Sequence, residues 1–280
     1  MNTQHLKGKT ILITGASSGI GKATAIACAK AGMRVVLSAR GLDALEQTAA
    51  QINMAKDAFG DTSGGGDAII IPCDVCDDDS VQTLFEQTLD AVGKIDVLYA
   101  NAGYGLFASI EDTADKQIRD IFETNFYGTV RCVNQALPIM RKQGGGHIII
   151  CSSACSEISL PMYGYYAATK AAQDSMAGAM RAELAGTEIH VSTVHPIGTY
   201  TDFFNQVSNK AGKDVGLNTP DSLMQTPEHV AKCILKNIAR SKPKPEVWPH
   251  WFTRLGVSLC TGFPGLGAKV TRKMHQRKSG

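Results

Sequence analysis

Short apolar runs of five or six residues alternate along this chain with longer segments of helical pattern. The runs are apolar almost throughout rather than at every second residue, which is typical of strands covered on both faces. They lie at residues 10–14, 34–38, 69–73, 95–100, 147–152 and 189–194. The helical patterns lie at residues 21–31, 42–54, 79–92, 115–142 and 163–184. Repeated strand–helix units require right-handed crossovers, so the pattern predicts the α/β class with a doubly wound parallel sheet.

Length and charge narrow the kind of partner that this chain can bind. Its 280 residues suit one α/β domain with a large core. The net charge of +2 predicts no nucleic-acid partner, although residues 247–280 carry six cations and no acid. No apolar run approaches the ~18 residues of a membrane span. The polar start predicts no signal peptide, and hence a cytoplasmic protein.

The eight cysteines are scattered, and only Cys73 and Cys76 form a C-x-x-C pair. A zinc site would need a second ligand pair at a matching spacing, which the sequence does not offer. We therefore expect no metal site, and thiols in a reducing compartment.

Three segments depart from the strand–helix rhythm. Residues 60–67 are rich in glycine and polar, which predicts a surface loop. Residues 200–226 lack a core pattern and are expected to form an irregular substrate loop. Residues 250–280 follow the last expected strand, around Glu246, so we predict a domain at 1–249 and a C-terminal extension at 250–280.

A glycine-rich turn joins the first strand to the first helix at residues 14–21, Thr-Gly-Ala-Ser-Ser-Gly-Ile-Gly. Such a turn lets backbone N–H groups approach a pyrophosphate at the positive end of a helix dipole. The absence of a Gly-Lys-Ser/Thr ending argues against a P-loop nucleotidase. The interpretation is a Rossmann-like dinucleotide-binding domain, with tight strand-to-helix packing alone as the alternative.

Tyr166 and Lys170 stand at i and i+4, so they share one face of the predicted helix. A neighbouring ammonium favours the phenolate form of a tyrosine, which suits it to general acid–base chemistry. Ser153, at a predicted strand end, would hydrogen-bond a substrate oxygen and stabilise developing charge.

With these motifs in order, the sequence resembles the short-chain dehydrogenase/reductase family over roughly residues 8–240. The match comprises T-G-x-x-x-G-x-G at 14–21, Asp74, Asn101-Ala102-Gly103, Asn125, and Ser153 thirteen residues before Tyr166. The resemblance implies a catalytic set of Asn125, Ser153, Tyr166 and Lys170, with Asn125 holding a water that links Lys170 to solvent. The expected cofactor contacts are Gly15, Ser17, Ser18, Gly19, Ile20, Gly21, Arg40, Asp74, Val75, Asn101, Ala102, Gly103, Tyr166, Lys170, Pro196, Ile197, Thr199 and Thr201.

The end of the second predicted strand bears on the choice of nucleotide. An NAD enzyme places an acidic residue there to bind the ribose 2′-hydroxyl, whereas this chain has Ala39 followed by Arg40. A guanidinium suits a 2′-phosphate, so NADP(H) is favoured over NAD(H). Ser18 stands where many NADP-binding members have a basic residue.

Several neighbours of the motif residues have alternative interpretations. Tyr163 and Tyr165 have no lysine four residues on, so we interpret them as cavity wall or packing. Ser152 is the rival of Ser153, and should face the opposite way along the strand end. His195 is expected to be a strand-end residue rather than a catalytic one.

In the segment after the sixth strand, Ile197 stands where the family has a glycine. A β-branched residue cannot adopt positive φ cheaply, so the loop is expected to keep ordinary backbone conformations. Thr199 and Thr201 still match the positions that hold the carboxamide of the cofactor.

These observations predict an oxidoreductase that transfers hydride between NADP(H) and a carbonyl compound or secondary alcohol. The alternatives are a membrane-associated reductase of a lipid-type keto substrate, such as a long-chain keto base or a steroid-like ketone, and a non-catalytic NADP(H)-binding regulator. Residues 255–280 are expected to close over the substrate site or contact a subunit, with interfacial membrane anchoring as the second interpretation. Small residues along 163–184 and the family resemblance imply a homo-oligomer.

Overall fold

The computed structural model describes residues 3–58, 68–158, 160–201, 203, 207 and 224–276. The predicted surface loop at 60–67, most of the predicted substrate loop at 200–226, and the last four residues, 277–280, lie outside the described residues.

The described strands form one parallel sheet of seven, in the spatial order β3-β2-β1-β4-β5-β6-β7. Their bounds are β1 Thr10–Thr14, β2 Arg34–Ser38, β3 Ala68–Ile70, β4 Val97–Ala100, β5 Gly146–Cys151, β6 Ile189–Val194 and β7 Glu246–Val247. The predicted doubly wound, Rossmann-like sheet is therefore confirmed. The strand predicted at 69–73 ends at Ile70, two residues before Pro72, which has no N–H to donate to a ladder.

Helices cover both faces of the sheet. They are α1 Gly19–Lys30, α2 Leu42–Ala58, α3 Asp78–Val92, α4 Asp115–Phe122, α5 Gly128–Gln143, α6 Gly164–Glu183, α7 Pro227–Ile238, α8 Trp251–Gly262 and α9 Pro264–Gln276. The single helix predicted at 115–142 was wrong in one respect, because a π-helical turn at Glu123–Tyr127 separates α4 from α5. Such turns are common at functional sites.

Successive strand residues point to opposite faces of the sheet and build two cores. Ile11 and Ile13 pack with residues of α1, α2 and α7 on one face. Leu12 packs with residues of α3, α5 and α6 on the other face. Because every strand runs in the same direction, all seven carboxyl ends meet at one edge, where open α/β sheets bind ligands.

Two elements complete that edge. A smaller apolar cluster, which includes Phe107, Ile121, Tyr163 and Tyr166, stands above the strand ends. Helices α8 and α9 form a hairpin beside it, and a Cβ on Gly267 would lie only 2.7 Å from the carbonyl oxygen of Cys260. Glycine therefore permits the close approach of these two helices. None of the helices in the described ranges combines the length and apolar character needed to cross a bilayer.

Candidate active site

A cleft of about 1050 Å³ runs along the carboxyl ends of the central strands. The glycine-rich turn forms one end of it, and α8 contributes Phe252, Gly256 and Val257 to the other. Most of the sequence-predicted site residues line this cleft. They are Gly15, Ser17, Ser18, Gly19, Ile20, Arg40, Asp74, Val75, Asn101, Ala102, Gly103, Ser153, Tyr166, Lys170, Pro196, Ile197, Thr199 and Thr201. The two exceptions, Gly21 and Asn125, lie behind the wall and shape it.

The glycine-rich turn is packed so closely that side chains would not fit. A Cβ on Gly21 would lie 2.2 Å from the carbonyl oxygen of Gly15, and Gly15 itself has φ of +68°. The side-chain amide of Asn101 donates to the carbonyl oxygens of Thr14 (3.0 Å) and Gly15 (3.1 Å), which ties β4 to the turn. This packing fixes the turn and leaves its outer side open to the cleft.

The N-terminus of α1 faces the cleft beside this turn. Ser18 is its N-cap residue in extended conformation, and its hydroxyl makes no capping hydrogen bond. The first backbone N–H groups of the helix therefore lack a side-chain acceptor from that residue. An N-terminus of this kind attracts an anionic group.

Arg40 and Asp74 lie where β2 and β3 lead into the cleft. Arg40 is exposed and directly follows Ala39, so no carboxylate occupies the preceding position. Asp74 Oδ1 accepts a hydrogen bond from the backbone N–H of Cys76 at 3.0 Å, which orients the carboxylate.

Tyr166 is buried in the cleft wall, and its immediate partners are Ser153 and Lys170. Burial raises the pKa of Tyr166, and a side-chain hydrogen bond with Ser153 opposes that increase. Lys170 Nζ lies 5.8 Å from the centroid of the Tyr166 ring. The direction of the Tyr166 pKa shift is therefore set by burial, and it is opposite to the one expected from the ammonium alone.

Lys170 is itself buried, and burial lowers its pKa. Its ammonium donates to the carbonyl oxygen of Cys151 at 2.7 Å and to Oε1 of Gln173 at 3.1 Å. These two acceptors hold the ammonium against the end of β5, under the cleft.

Asn125 sits in the π-helical turn, and its side chain is fixed by backbone contacts. Its Oδ1 accepts from the backbone N–H of Tyr104 at 2.9 Å, and its Nδ2 donates to the Tyr104 carbonyl oxygen at 3.0 Å. Its own carbonyl oxygen accepts from Nε2 of Gln173 at 2.6 Å and from the hydroxyl of Thr129 at 2.8 Å.

Gln173 is the site residue that sequence reasoning missed. Its amide bridges the Asn125 carbonyl and the Lys170 ammonium directly, where a linking water was expected. The identity of each amide atom is fixed, because Nε2 also donates to Thr129 at 2.7 Å while Oε1 faces the ammonium. The available signal was its position three residues after Lys170, on the same face of α6.

The two neighbouring serines occupy different environments. The Ser153 hydroxyl accepts a hydrogen bond from the backbone N–H of Cys155 at 3.1 Å. The Ser152 hydroxyl is buried without a hydrogen-bond partner among the described residues. Both residues line the cleft, and Ser153 opposes the increase that burial causes in the pKa of Tyr166.

His195 lies outside the cleft wall, which agrees with its interpretation as a strand-end residue. Its ring stacks on Trp248 at a centroid distance of 4.4 Å, and its Nδ1 lies 3.7 Å from Oδ2 of Asp174. Tyr163 packs edge-on against Phe107 at 5.1 Å and belongs to the cleft wall.

The segment after β6 keeps ordinary backbone conformations, as expected from Ile197. Among the described residues, Met162 alone has positive φ without being glycine. The backbone N–H of Tyr200 donates to the Gln225 carbonyl oxygen, and the N–H of Gln225 donates to Gly198. This short parallel bridge presents Thr199 and Thr201 to the cleft.

Cys73 and Cys76 form the C-x-x-C pair that the sequence analysis weighed as metal ligands. Cys76 Sγ contacts the Thr124 hydroxyl at 3.3 Å, and burial raises the pKa of both Cys73 and Cys76. In the ranges that the structure describes, no three His, Cys, Asp or Glu side chains are grouped to hold a metal ion.

The fold, the glycine-rich turn and the buried pair of Tyr166 and Lys170 are together typical of nucleotide-dependent oxidoreductases. Residues 9–212 match the short chain dehydrogenase family, and the chain belongs to that family. The resemblance stated from the sequence motifs is thereby confirmed.

Relatives and solved structures agree with this assignment. An uncharacterized oxidoreductase of Mycobacterium tuberculosis is 39% identical over 193 residues, which cover 68% of this chain and 54% of that protein. The match thus spans about half the length of that relative. A short-chain dehydrogenase/reductase of Burkholderia phymatum, solved in complex with NAD, has 25% identity and a TM-score of 0.78 over 93% of this chain and 95% of that one. An alcohol dehydrogenase of Thermococcus sibiricus, solved with 5-hydroxy-NADP, has 26% identity and a TM-score of 0.72 over 86% and 96%.

Proposed function

We propose that this protein is an NADP(H)-dependent carbonyl reductase or alcohol dehydrogenase. The observation that carries the proposal is the buried Tyr166 side chain, which lines the cleft together with Ser153 and whose ring centroid lies 5.8 Å from Lys170 Nζ. A protein that only binds a nucleotide has no use for this arrangement, so the regulator alternative is disfavoured.

The cleft fits a dinucleotide phosphate. Gly15, Ser17 and Gly19 of the glycine-rich turn line the cleft, and the N-terminus of α1 offers N–H groups to an anion. When bound, NADP(H) supplies or accepts the hydride. Pro196, Ile197, Thr199 and Thr201 would hold its carboxamide end, and Asp74 and Val75 its adenine end.

Arg40 and Ala39 support NADP(H) over NAD(H). The solved relatives include one complex with each kind of nucleotide, so the family alone does not make the choice. An exposed guanidinium without a neighbouring carboxylate at the end of β2 favours a doubly charged 2′-phosphate over an uncharged 2′-hydroxyl.

The protein residues would move and stabilise charge as follows. Tyr166 donates its proton to the substrate oxygen in reduction and accepts one in oxidation. Ser153 donates a hydrogen bond to the same oxygen and stabilises charge as it develops. Lys170 positions the ribose of the nucleotide and supplies positive charge to the tyrosinate left after reduction. Asn125 and Gln173 hold Lys170 in place.

The substrate end of the cleft is apolar. Leu160, Tyr163, Phe203, Phe252 and Val257 line it, so we propose an apolar carbonyl compound or secondary alcohol as the substrate. In this proposal residues 1–249 form the catalytic domain, and the extension at 250–280 contributes α8 to the roof of the substrate end. The expected cytoplasmic location stays a prediction.

The decisive experiment compares Tyr166→Phe with Tyr163→Phe. NADPH oxidation is measured with a panel of apolar ketones and aldehydes. The affinity for NADPH is measured separately by fluorescence titration. We expect Tyr166→Phe to lose more than nine-tenths of turnover at nearly unchanged NADPH affinity, and Tyr163→Phe to retain turnover. Absence of turnover in the wild-type protein across the panel, or full activity of Tyr166→Phe, would contradict the proposal.

A further inference from the structure

The α8–α9 hairpin concentrates the exposed apolar side chains of this protein. Seven of the twelve large apolar side chains that are exposed in the described residues lie between Trp251 and Val270. Trp251 is 76% exposed and Phe263 is 63% exposed, so two large aromatic side chains of this hairpin face solvent. A contiguous patch of this kind marks an interaction surface.

The spacing in α8 separates two apolar faces. Gly256 and Val257 line the cleft, whereas Trp251 and Leu255 are exposed one turn apart on a different side. Phe252 and Leu259, seven residues apart, lie along the border between the two sides. Phe263 and Leu266 continue the exposed row into α9. We name Trp251, Leu255, Leu259, Phe263 and Leu266 the outer face.

Cations accompany the outer face, and acids do not. Lys269 and Arg272 are exposed on α9, and Arg254 on α8 pairs with Glu246 at 3.2 Å. The sequence has no Asp or Glu from Val247 to Gly280. A second copy seated on this face in a two-fold contact would bring like charges together. An anionic lipid surface complements them instead.

We propose that the outer face of the α8–α9 hairpin docks on an anionic lipid bilayer. Trp251, Leu255 and Phe263 would enter the boundary between headgroups and acyl chains, while Lys269 and Arg272 contact the headgroups. Docking of this face places the roof of the cleft at the bilayer surface, because the other side of α8 lines the cleft. The proposal does not depend on the reductase activity, since lipid binding is measured without turnover.

Vesicle flotation tests the proposal directly. The full-length protein is mixed with vesicles of phosphatidylcholine containing 30% phosphatidylglycerol, or of phosphatidylcholine alone. We expect flotation with the anionic vesicles at least tenfold above that with neutral ones, falling as salt screens the charges. The double variant Leu255→Ser with Phe263→Ser should lose most of the binding at low salt and at high salt alike.

Matched controls separate docking from general charge or stickiness. Lys269→Glu with Arg272→Glu should lose anionic flotation, whereas Lys30→Glu with Arg34→Glu, at the opposite edge of the sheet, should keep it. Met54→Ser, which removes an exposed apolar side chain from α2, should also keep it. Circular dichroism confirms that each variant is folded.

Two results would overturn the proposal. The first is flotation that fails to depend on the outer face, because anionic vesicles bind wild type and both hairpin variants equally or bind none of them. The second is sedimentation showing that the outer face joins two copies of the chain, with Leu255→Ser and Phe263→Ser converting a dimer to a monomer.

Discussion

Lys170 and Gln173 lie one turn apart on α6 and are joined by a 3.1 Å hydrogen bond from the ammonium to the amide oxygen. The same amide donates to the Asn125 carbonyl oxygen at 2.6 Å, so the Gln173 side chain links Lys170 on α6 to Asn125 in the π-helical turn. An amide holds an ammonium firmly but does not pass protons on readily. Gln173 therefore acts as a positioning residue for Lys170.

Substitution of Gln173 by alanine should preserve activity better than substitution by leucine. Alanine leaves a space bordered by the Asn125 carbonyl, the Thr129 hydroxyl and the Lys170 ammonium, and three polar partners suffice to bind a water there. Leucine fills the space with apolar atoms. A lost hydrogen bond to a charged group costs about 1.5–3 kcal/mol, so kcat of Gln173→Leu should fall roughly 10–150-fold.

The order of the two variants is what distinguishes positioning from packing. Packing alone predicts that the smaller alanine is the worse substitution, because it leaves a cavity. Thermal unfolding and kcat are measured for both variants, with Gln143→Leu as the control. Gln143 bridges the N–H and carbonyl of Ile95 away from the cleft, so its loss should leave kcat unchanged.

Arg40→Ala should weaken NADPH binding and scarcely alter NADH binding. A guanidinium lost from a phosphate costs about 1.5–3 kcal/mol, or roughly 10–150-fold in affinity. Fluorescence titration of both nucleotides measures the ratio. Arg34→Ala, at the other end of β2, is the matched control and should change neither affinity. Equal affinity of the wild-type protein for NADH and NADPH would refute the assignment.

His147 should make the protein less stable in acid. It is buried in β5 with Nε2 at 2.8 Å from the Ser192 hydroxyl, and burial lowers its pKa to about 3, below the ordinary value of 6.5. The unfolded chain therefore binds a proton that the folded protein does not, between pH 6.5 and 3. The free energy of unfolding should fall by about 1.4 kcal/mol for each pH unit in this window.

Urea unfolding from pH 7 to pH 4 measures that slope. His147→Gln should reduce it by about one proton, and His5→Gln, near the N-terminus, should not. An unchanged slope in His147→Gln would show that other groups govern the acid response.

The outward side of α6 should join two copies of the chain. Ala168, Ala171, Ala179 and Ala182 are exposed there, and small side chains permit close approach of helices. We expect a homodimer, or a tetramer built from it, in sedimentation equilibrium at micromolar concentration. Ala171→Arg should shift the population to monomer, while Ala50→Arg on α2 should not. A monomeric wild-type protein would contradict this prediction.

The sheet could be predicted from the sequence because each strand is a continuous apolar run between glycine or polar turns. The π-helical turn could not, since Glu123–Tyr127 keeps a helical pattern and its register depends on contacts such as that of Asn125 with Tyr104. The spacing of Ser153, Tyr166 and Lys170 led to the site. The burial that sets the pKa of Tyr166 required the packed cluster around it.

The sequence pattern did not predict helices α8 and α9, because this segment contains residues that ordinarily interrupt helices. Gly262, Pro264 and Gly267 are residues of this kind, yet Pro264 begins α9, where its missing N–H costs nothing. Gly267 serves the contact between the two helices rather than a turn. Local sequence pattern does not register such a contact, because its partner lies in another helix.

The two ends of the cleft are built from different parts of the chain. The nucleotide end is built from strand ends and the turn at 14–21, where a single Cβ would collide with backbone. The substrate end is roofed by α8, which follows the two-residue edge strand β7. Exchange of residues 250–280 between members of this family is therefore a route to altered substrate range in engineered variants, with Tyr166 and its surroundings left unchanged.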